Sequence, residues 1–127
     1  MAETEKLDEW LEKIKGSVCF PHSFQVIFPR TSELCPNCNE AIKKISSKMS
    51  EQFGGTTEWN GDGCWVDDKG NKICEPVKII QSAHNCTDLS KAKELVRTIK
   101  EAGIDTKQQT IAIKGTNKFF IIPPKYI

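Results

Sequence analysis

Residues 53–77, Phe53-Gly54-Gly55-Thr56-Thr57-Glu58-Trp59-Asn60-Gly61-Asp62-Gly63-Cys64-Trp65-Val66-Asp67-Asp68-Lys69-Gly70-Asn71-Lys72-Ile73-Cys74-Glu75-Pro76-Val77, decide the fold of this chain. The stretch reads as a helix exit followed by a β-hairpin. Asp67-Asp68-Lys69-Gly70-Asn71 suits a type I turn closed by a left-handed glycine, the three-residue hairpin loop with a bulge. That loop places Asp67 opposite Asn71, Val66 opposite Lys72, Trp65 opposite Ile73 and Cys64 opposite Cys74. Opposed residues on one face lie ~4.5–5.5 Å apart at Cβ, so Cys64 and Cys74 form a disulfide candidate. A two-residue loop would instead set Trp65 against Cys74. Trp59, Gly61, Gly63 and Trp65 share a face by the period of two. The glycines between the tryptophans leave room for another element to approach. Asn60-Gly61 is also a tight-turn pair, which keeps a bulge or second hairpin open.

Working outward, His22–Phe28 alternates as a strand and Pro29 ends it. A helix is expected over 36–52, with Pro36 at its first position and Cys38, Ile42, Ile45 and Met49 on its buried stripe. Cys35 would sit at its cap, where the helix dipole favours a thiolate. Val77–Ile80 completes the hairpin's second strand, with Pro76 at an edge or bulge. A further helix is expected over 88–102, with Gly103 as its stop. Thr110–Ile113 and Phe119–Ile122 read as two short strands, ended by Pro123-Pro124. Residues 3–15 form an amphipathic helix with Leu7, Trp10, Leu11 and Ile14 on one side, expected to dock on its own domain.

The order β-α-β-β-α-β-β is that of a split β-α-β, ferredoxin-like antiparallel sheet of α+β class, with an extra N-terminal helix. Residues 1–16 would be that helix and 17–127 the domain.

Composition narrows the function. At 127 residues, one domain with a core of its own is expected. Eighteen basic and seventeen acidic residues leave a net charge of +1. That argues against a nucleic-acid partner, although Lys107, Lys114, Lys118 and Lys125 form a weak basic strip. No apolar run is long enough for a membrane span. The polar start Met1–Lys6 is no secretory signal, so a cytoplasmic location with mostly reduced thiols is expected.

The pattern Phe53-Gly54-Gly55-Thr56-Thr57, Gly63-Cys64-Trp65, Gly70 and Glu75-Pro76-Val77 resembles a set of small uncharacterised prokaryotic proteins. The resemblance spans residues 22–122 and is specific only in this central part. It implies a ferredoxin-like fold, often an assembling one, and no activity. Cys35-Pro36-Asn37-Cys38 and the Cys64/Cys74 pair depart from that pattern.

Three functions compete. With no complete catalytic set in view, a non-enzymatic binding or assembly module is the leading expectation, pairing as a homo-oligomer or with a protein partner. A zinc-stabilised module would use Cys35, Cys38, His84 and Cys86, on the argument that the two helices run roughly parallel and start at one end of the sheet. A thiol-disulfide redox protein would use Cys35 as nucleophile and Cys38 as resolving thiol. Cysteines packed plainly in the core are the bland alternative to both. Among other side chains, Glu58, Trp59, Trp65 and Glu75 form the one constellation that resembles a ligand cleft.

Overall fold

A computed structural model describes residues 3–85 and 88–127. Its first helix, α1 (Glu3–Glu12), is followed by β1 (His22–Pro29), α2 (Cys38–Phe53), β2 (Thr57–Val66) and β3 (Lys72–His84). Then come α3 (Leu89–Asp105), β4 (Ile111–Lys114), β5 (Phe119–Ile122) and a short 3-10 turn at Pro124–Tyr126. The strands form one five-stranded sheet in the order β2-β3-β1-β4-β5. Every neighbouring pair is antiparallel. The architecture is α+β and consistent with a ferredoxin-like fold.

Period-two alternation decides what each face carries. Phe24, Val26 and Phe28 of β1, Ile80 of β3, and Ile111 and Ile113 of β4 face the helices. They meet Cys38, Ala41, Ile42, Ile45 and Met49 of α2 and Leu95, Ile99 and Ala102 of α3 in a single core. Among the described residues, no helix packs on the opposite face of the sheet. The apolar residues of α1 do not cover it: Leu7, Trp10 and Leu11 are exposed, contrary to the expected docking.

Two helix boundaries differ from expectation for physical reasons. α2 begins at Cys38, not at Pro36, because residues 31–38 form a tight turn of their own in which Ser32 and Cys35 exchange backbone hydrogen bonds. The cap comes from further back: the Thr31 hydroxyl accepts from the Asn39 N–H at 2.8 Å, and the Asn39 side chain accepts from the Thr31 N–H at 2.9 Å. In α3, Gly103 is no stop. The helix continues to Asp105, and Gly103 is where it packs directly on Ile111 and Pro124. Thr106 ends it, its hydroxyl donating to the Ala102 carbonyl at 2.7 Å.

The hairpin follows the three-residue loop. Gly70 has φ 82°, the Asp67 N–H donates to the Asn71 carbonyl, and the Asp67 carboxylate accepts from the N–H groups of Lys69 and Asn71. The register sets Cys64 opposite Cys74 and Trp65 opposite Ile73. β1 reaches β3 only as far as the pair Pro29–Val77. Residues 62–66 and 72–76 therefore project as a two-stranded arm without a third strand. Pro76, which has no N–H to give, marks the base of this arm, where its carbonyl accepts from the Arg30 N–H at 2.9 Å.

Candidate active site on the open sheet face

The face turned away from the helices carries a trough along β2 and β3. Its residues pair as Trp59–Ile79, Gly61–Val77, Gly63–Glu75 and Trp65–Ile73. Six residues of strand separate the tryptophans, roughly 20 Å at ~3.3 Å per residue. Between them the β2 side is bare backbone, and the β3 side chains lean into the space. A Cβ on Gly63 would lie 2.9 Å from Val77 Cγ1, and one on Gly61 3.3 Å from Ile79 Cδ1. Val77 is consequently only 6% exposed, while Trp59 and Trp65 keep 43% and 47% of their surface open.

Glu75 sits in this apolar strip, diagonal to Trp65 and next to Val77 across the pleat. Partial burial pushes its carboxyl above the ordinary value. No cation forms an ion pair with it among the described residues. Desolvation without a partner costs stability, so the position is unfavourable for the empty protein and favourable for a bound cation. Of the sequence-derived cleft, Trp59, Trp65 and Glu75 share one face of the sheet, and of the two tryptophans only Trp65 is a diagonal neighbour of Glu75. Glu58 is a correction: it pairs with Ile80 and so belongs to the helix-side face, because adjacent strand residues point to opposite sides.

Of the four residues expected to bind zinc, the structure does not bring His84 to Cys35 and Cys38. α2 and α3 run antiparallel, not parallel: Asn37, at the start of α2, donates from its side chain to the Asp105 carbonyl at the end of α3. His84 lies at the opposite end, paired with His22 and stacked on Phe53, the last residue of α2, at 4.5 Å. The length of α2, about 22 Å at ~1.5 Å per residue, therefore separates His84 from Cys38. Cys86 lies outside the described residues. No group of three or more His, Cys, Asp or Glu among the described residues is placed to hold a metal.

The redox reading also needs correction. Cys35 and Cys38 are joined in a disulfide with Cα atoms 5.4 Å apart, but they are 4% and 0% exposed. A thiol nucleophile has to meet its substrate, and the core covers both sulfurs. Cys64 and Cys74 form a second disulfide, with Cα atoms 4.1 Å apart, as the hairpin register demands. Both of those cysteines are exposed.

Sequence reasoning missed a second hollow, a cleft of about 230 Å³ lined by Phe20, Gln52, Phe53, His84, Asn85, Asp88 and Lys91. Burial, and then the charge of His22, hold the His84 ring below its ordinary pKa. Its acid is already engaged, since the Asp88 carboxylate caps α3 through the N–H groups of Ser90 and Lys91. His22 and His84 meet through β1–β3 register and Phe53 through the packing of α2, which no local motif announces.

No protein-family profile matches the chain, and no curated protein matches it in sequence. Similarity appears in the fold. A structure described as a phage SAM lyase in complex with S-methyl-5'-thioadenosine aligns with 91% of this chain and 99% of its own, at 11% identity and a TM-score of 0.61. A phage SAM lyase in its apo state aligns with 80% of this chain and 88% of its own, at 15% identity and a TM-score of 0.53. The expected non-enzymatic binding or assembly module is overturned here: the fold matches are structures of an enzyme, one of them holding a small-molecule ligand.

Proposed function

We propose that this chain is an enzyme that binds S-adenosylmethionine in the trough between Trp59 and Trp65 and splits it to S-methyl-5'-thioadenosine. The same reading takes the fold as the split β-α-β, ferredoxin-like arrangement, with α1 and β5 as additions. The observation that carries it is Glu75, a partly desolvated carboxylate with no ion pair among the described residues, set in an apolar strip between two half-open tryptophans. The fold match to a SAM lyase supports the choice of ligand.

The substrate's chemistry suits these residues. A purine stacks on an indole face for about 1–3 kcal/mol. A cation with apolar substituents, such as a sulfonium, is attracted to tryptophan by about 0.5–2 kcal/mol. Glu75 is better matched to the substrate's ammonium group. The sulfonium charge vanishes as the bond breaks, so a carboxylate against sulfur would hold back the reaction. In the proposed step the bond from sulfur to the four-carbon amino-acid chain breaks. Its electron pair goes to sulfur, leaving a neutral thioether. The vacated carbon is taken by the substrate's own carboxylate oxygen, which closes a lactone and balances the charge. The protein's part is to hold the chain folded for that closure and to keep water away.

Incubation with S-adenosylmethionine, followed by chromatography for S-methyl-5'-thioadenosine, tests the reading. Product from the wild type and a loss of 10-fold or more in Glu75→Gln are expected. No product, together with no calorimetric binding of S-methyl-5'-thioadenosine, overturns it.

A further inference from the structure

We infer that the Cys64–Cys74 disulfide is a thiol-sensitive clasp that keeps the arm carrying Trp65 and Glu75 in register, so that a dithiol reductant loosens the site. The consequence for ligand binding rests on the proposed trough. The consequence for the arm does not.

Four observations converge. First, beyond the Arg30 N–H, which donates to the Pro76 carbonyl at 2.9 Å, residues 62–66 and 72–75 have only each other as strand partners among the described residues, because β1 stops at Pro29 opposite Val77. An isolated two-stranded hairpin is marginal at best in water. Second, the usual sources of hairpin stability are weak here. Two of the five β2 residues in the arm are Asp62 and Gly63, and Pro76 occupies one of the five positions in β3. Third, the crosslink lies midway along the arm, on the face opposite Trp65 and Glu75. It is one pair away from Trp65–Ile73 and one from Gly63–Glu75. A slip by one residue would turn those side chains to the wrong face, and the crosslink forbids it. Fourth, the two disulfides differ in access. Cys64 and Cys74 are exposed on the arm, whereas Cys35 and Cys38 are buried in the core. A reductant in solution therefore reaches the arm first.

The chemistry is thiol–disulfide exchange. A thiolate of the dithiol attacks one sulfur of the Cys64–Cys74 bond, and the other sulfur leaves as a thiolate and takes a proton from water. The second thiol of the reductant then attacks the mixed disulfide. Cys64 and Cys74 are released as thiols, and the reductant leaves as its own cyclic disulfide. Two electrons pass from reductant to protein, and reoxidation reverses the step.

Hydrogen exchange on the whole chain, before and after mild treatment with dithiothreitol, tests this. A free-thiol count confirms that only one disulfide has opened. The amides of residues 62–66 and 72–75 are expected to exchange at least 10-fold faster after reduction, while residues 22–28 and 77–84 keep their protection. A Cys64→Ser/Cys74→Ser variant should show the fast pattern without reductant. A Cys35→Ser/Cys38→Ser variant should keep a slow arm. Unchanged exchange in the arm after the bond is opened overturns the clasp, whatever the ligand data show. In parallel, S-methyl-5'-thioadenosine is titrated into both forms, and the oxidised form is expected to bind at least 5-fold more tightly. A loosened arm with equal binding in the two forms overturns the link to the site. A loosened arm with no binding in either form supports the clasp and, together with no product from S-adenosylmethionine, refutes the proposed substrate.

Discussion

Glu75 lies directly across the β2–β3 ladder from Gly63, so a carboxylate faces a position with no side chain. The pairing leaves Glu75 partly desolvated yet reachable, the combination expected of a group that waits for a cation. Its cost to the empty protein is measurable. Burial raises its pKa, so the folded state is penalised once the group ionises. Below the ordinary carboxylate range both states are protonated and the penalty is absent. It appears as pH rises through that range toward the raised value and persists above it. Glu75→Gln should remove this component. The variant is expected to lose less stability than the wild type between about pH 3 and about pH 7, by thermal unfolding, while losing ligand binding.

Gly63 has its own test. A Cβ there meets Val77 Cγ1 at 2.9 Å, and Val77 is held by its neighbours on the strand. Gly63→Val should therefore overpack the strip and cost about 1–3 kcal/mol despite the better strand propensity of valine. Urea unfolding gives the stability. Activity should fall with it, because Val77 would be displaced into the trough.

Gly103 sets two effects against each other. Alanine is favoured over glycine inside a helix by about 1 kcal/mol. Yet a Cβ at this position would lie 2.6 Å from Ile111 Cδ1 and 2.7 Å from Pro124 Cγ. Both neighbours are buried, so the clash should win, and Gly103→Ala is expected to destabilise by about 1–3 kcal/mol in denaturant unfolding.

Asp88 tests the α3 cap. Its carboxyl is held below the ordinary value first by the Ser90 hydroxyl, then by the backbone N–H groups of Ser90 and Lys91. That contribution is present above the ordinary carboxylate range and is lost as pH falls through the lowered pKa. Asp88→Ala should destabilise the fold near neutral pH, with a smaller difference in acid, measured by chemical denaturation at both pH values.

What could be read from the chain alone was whatever local stereochemistry dictates. Asp67–Asn71 closes as the three-residue loop with Gly70 left-handed, the first of the two closures the sequence offered, and that turn sets Cys64 against Cys74 and Trp65 against Ile73. The core stripe Cys38, Ile42, Ile45 and Met49 was equally legible, because helical spacing needs no knowledge of the partner surface. Tertiary structure decided the rest. Helix direction followed from how each strand feeds the next element, and it carried His84 a helix length away from Cys38. Gly103 looked like a stop because glycine usually ends helices, and only the approach of Ile111 and Pro124 explains it within one. Glu58 and Glu75 looked equivalent on paper. The pleat put Glu58 over Ile80 on the helix side and Glu75 beside Trp65 on the open one, because adjacent strand residues face opposite ways and only the packed helices say which way is in.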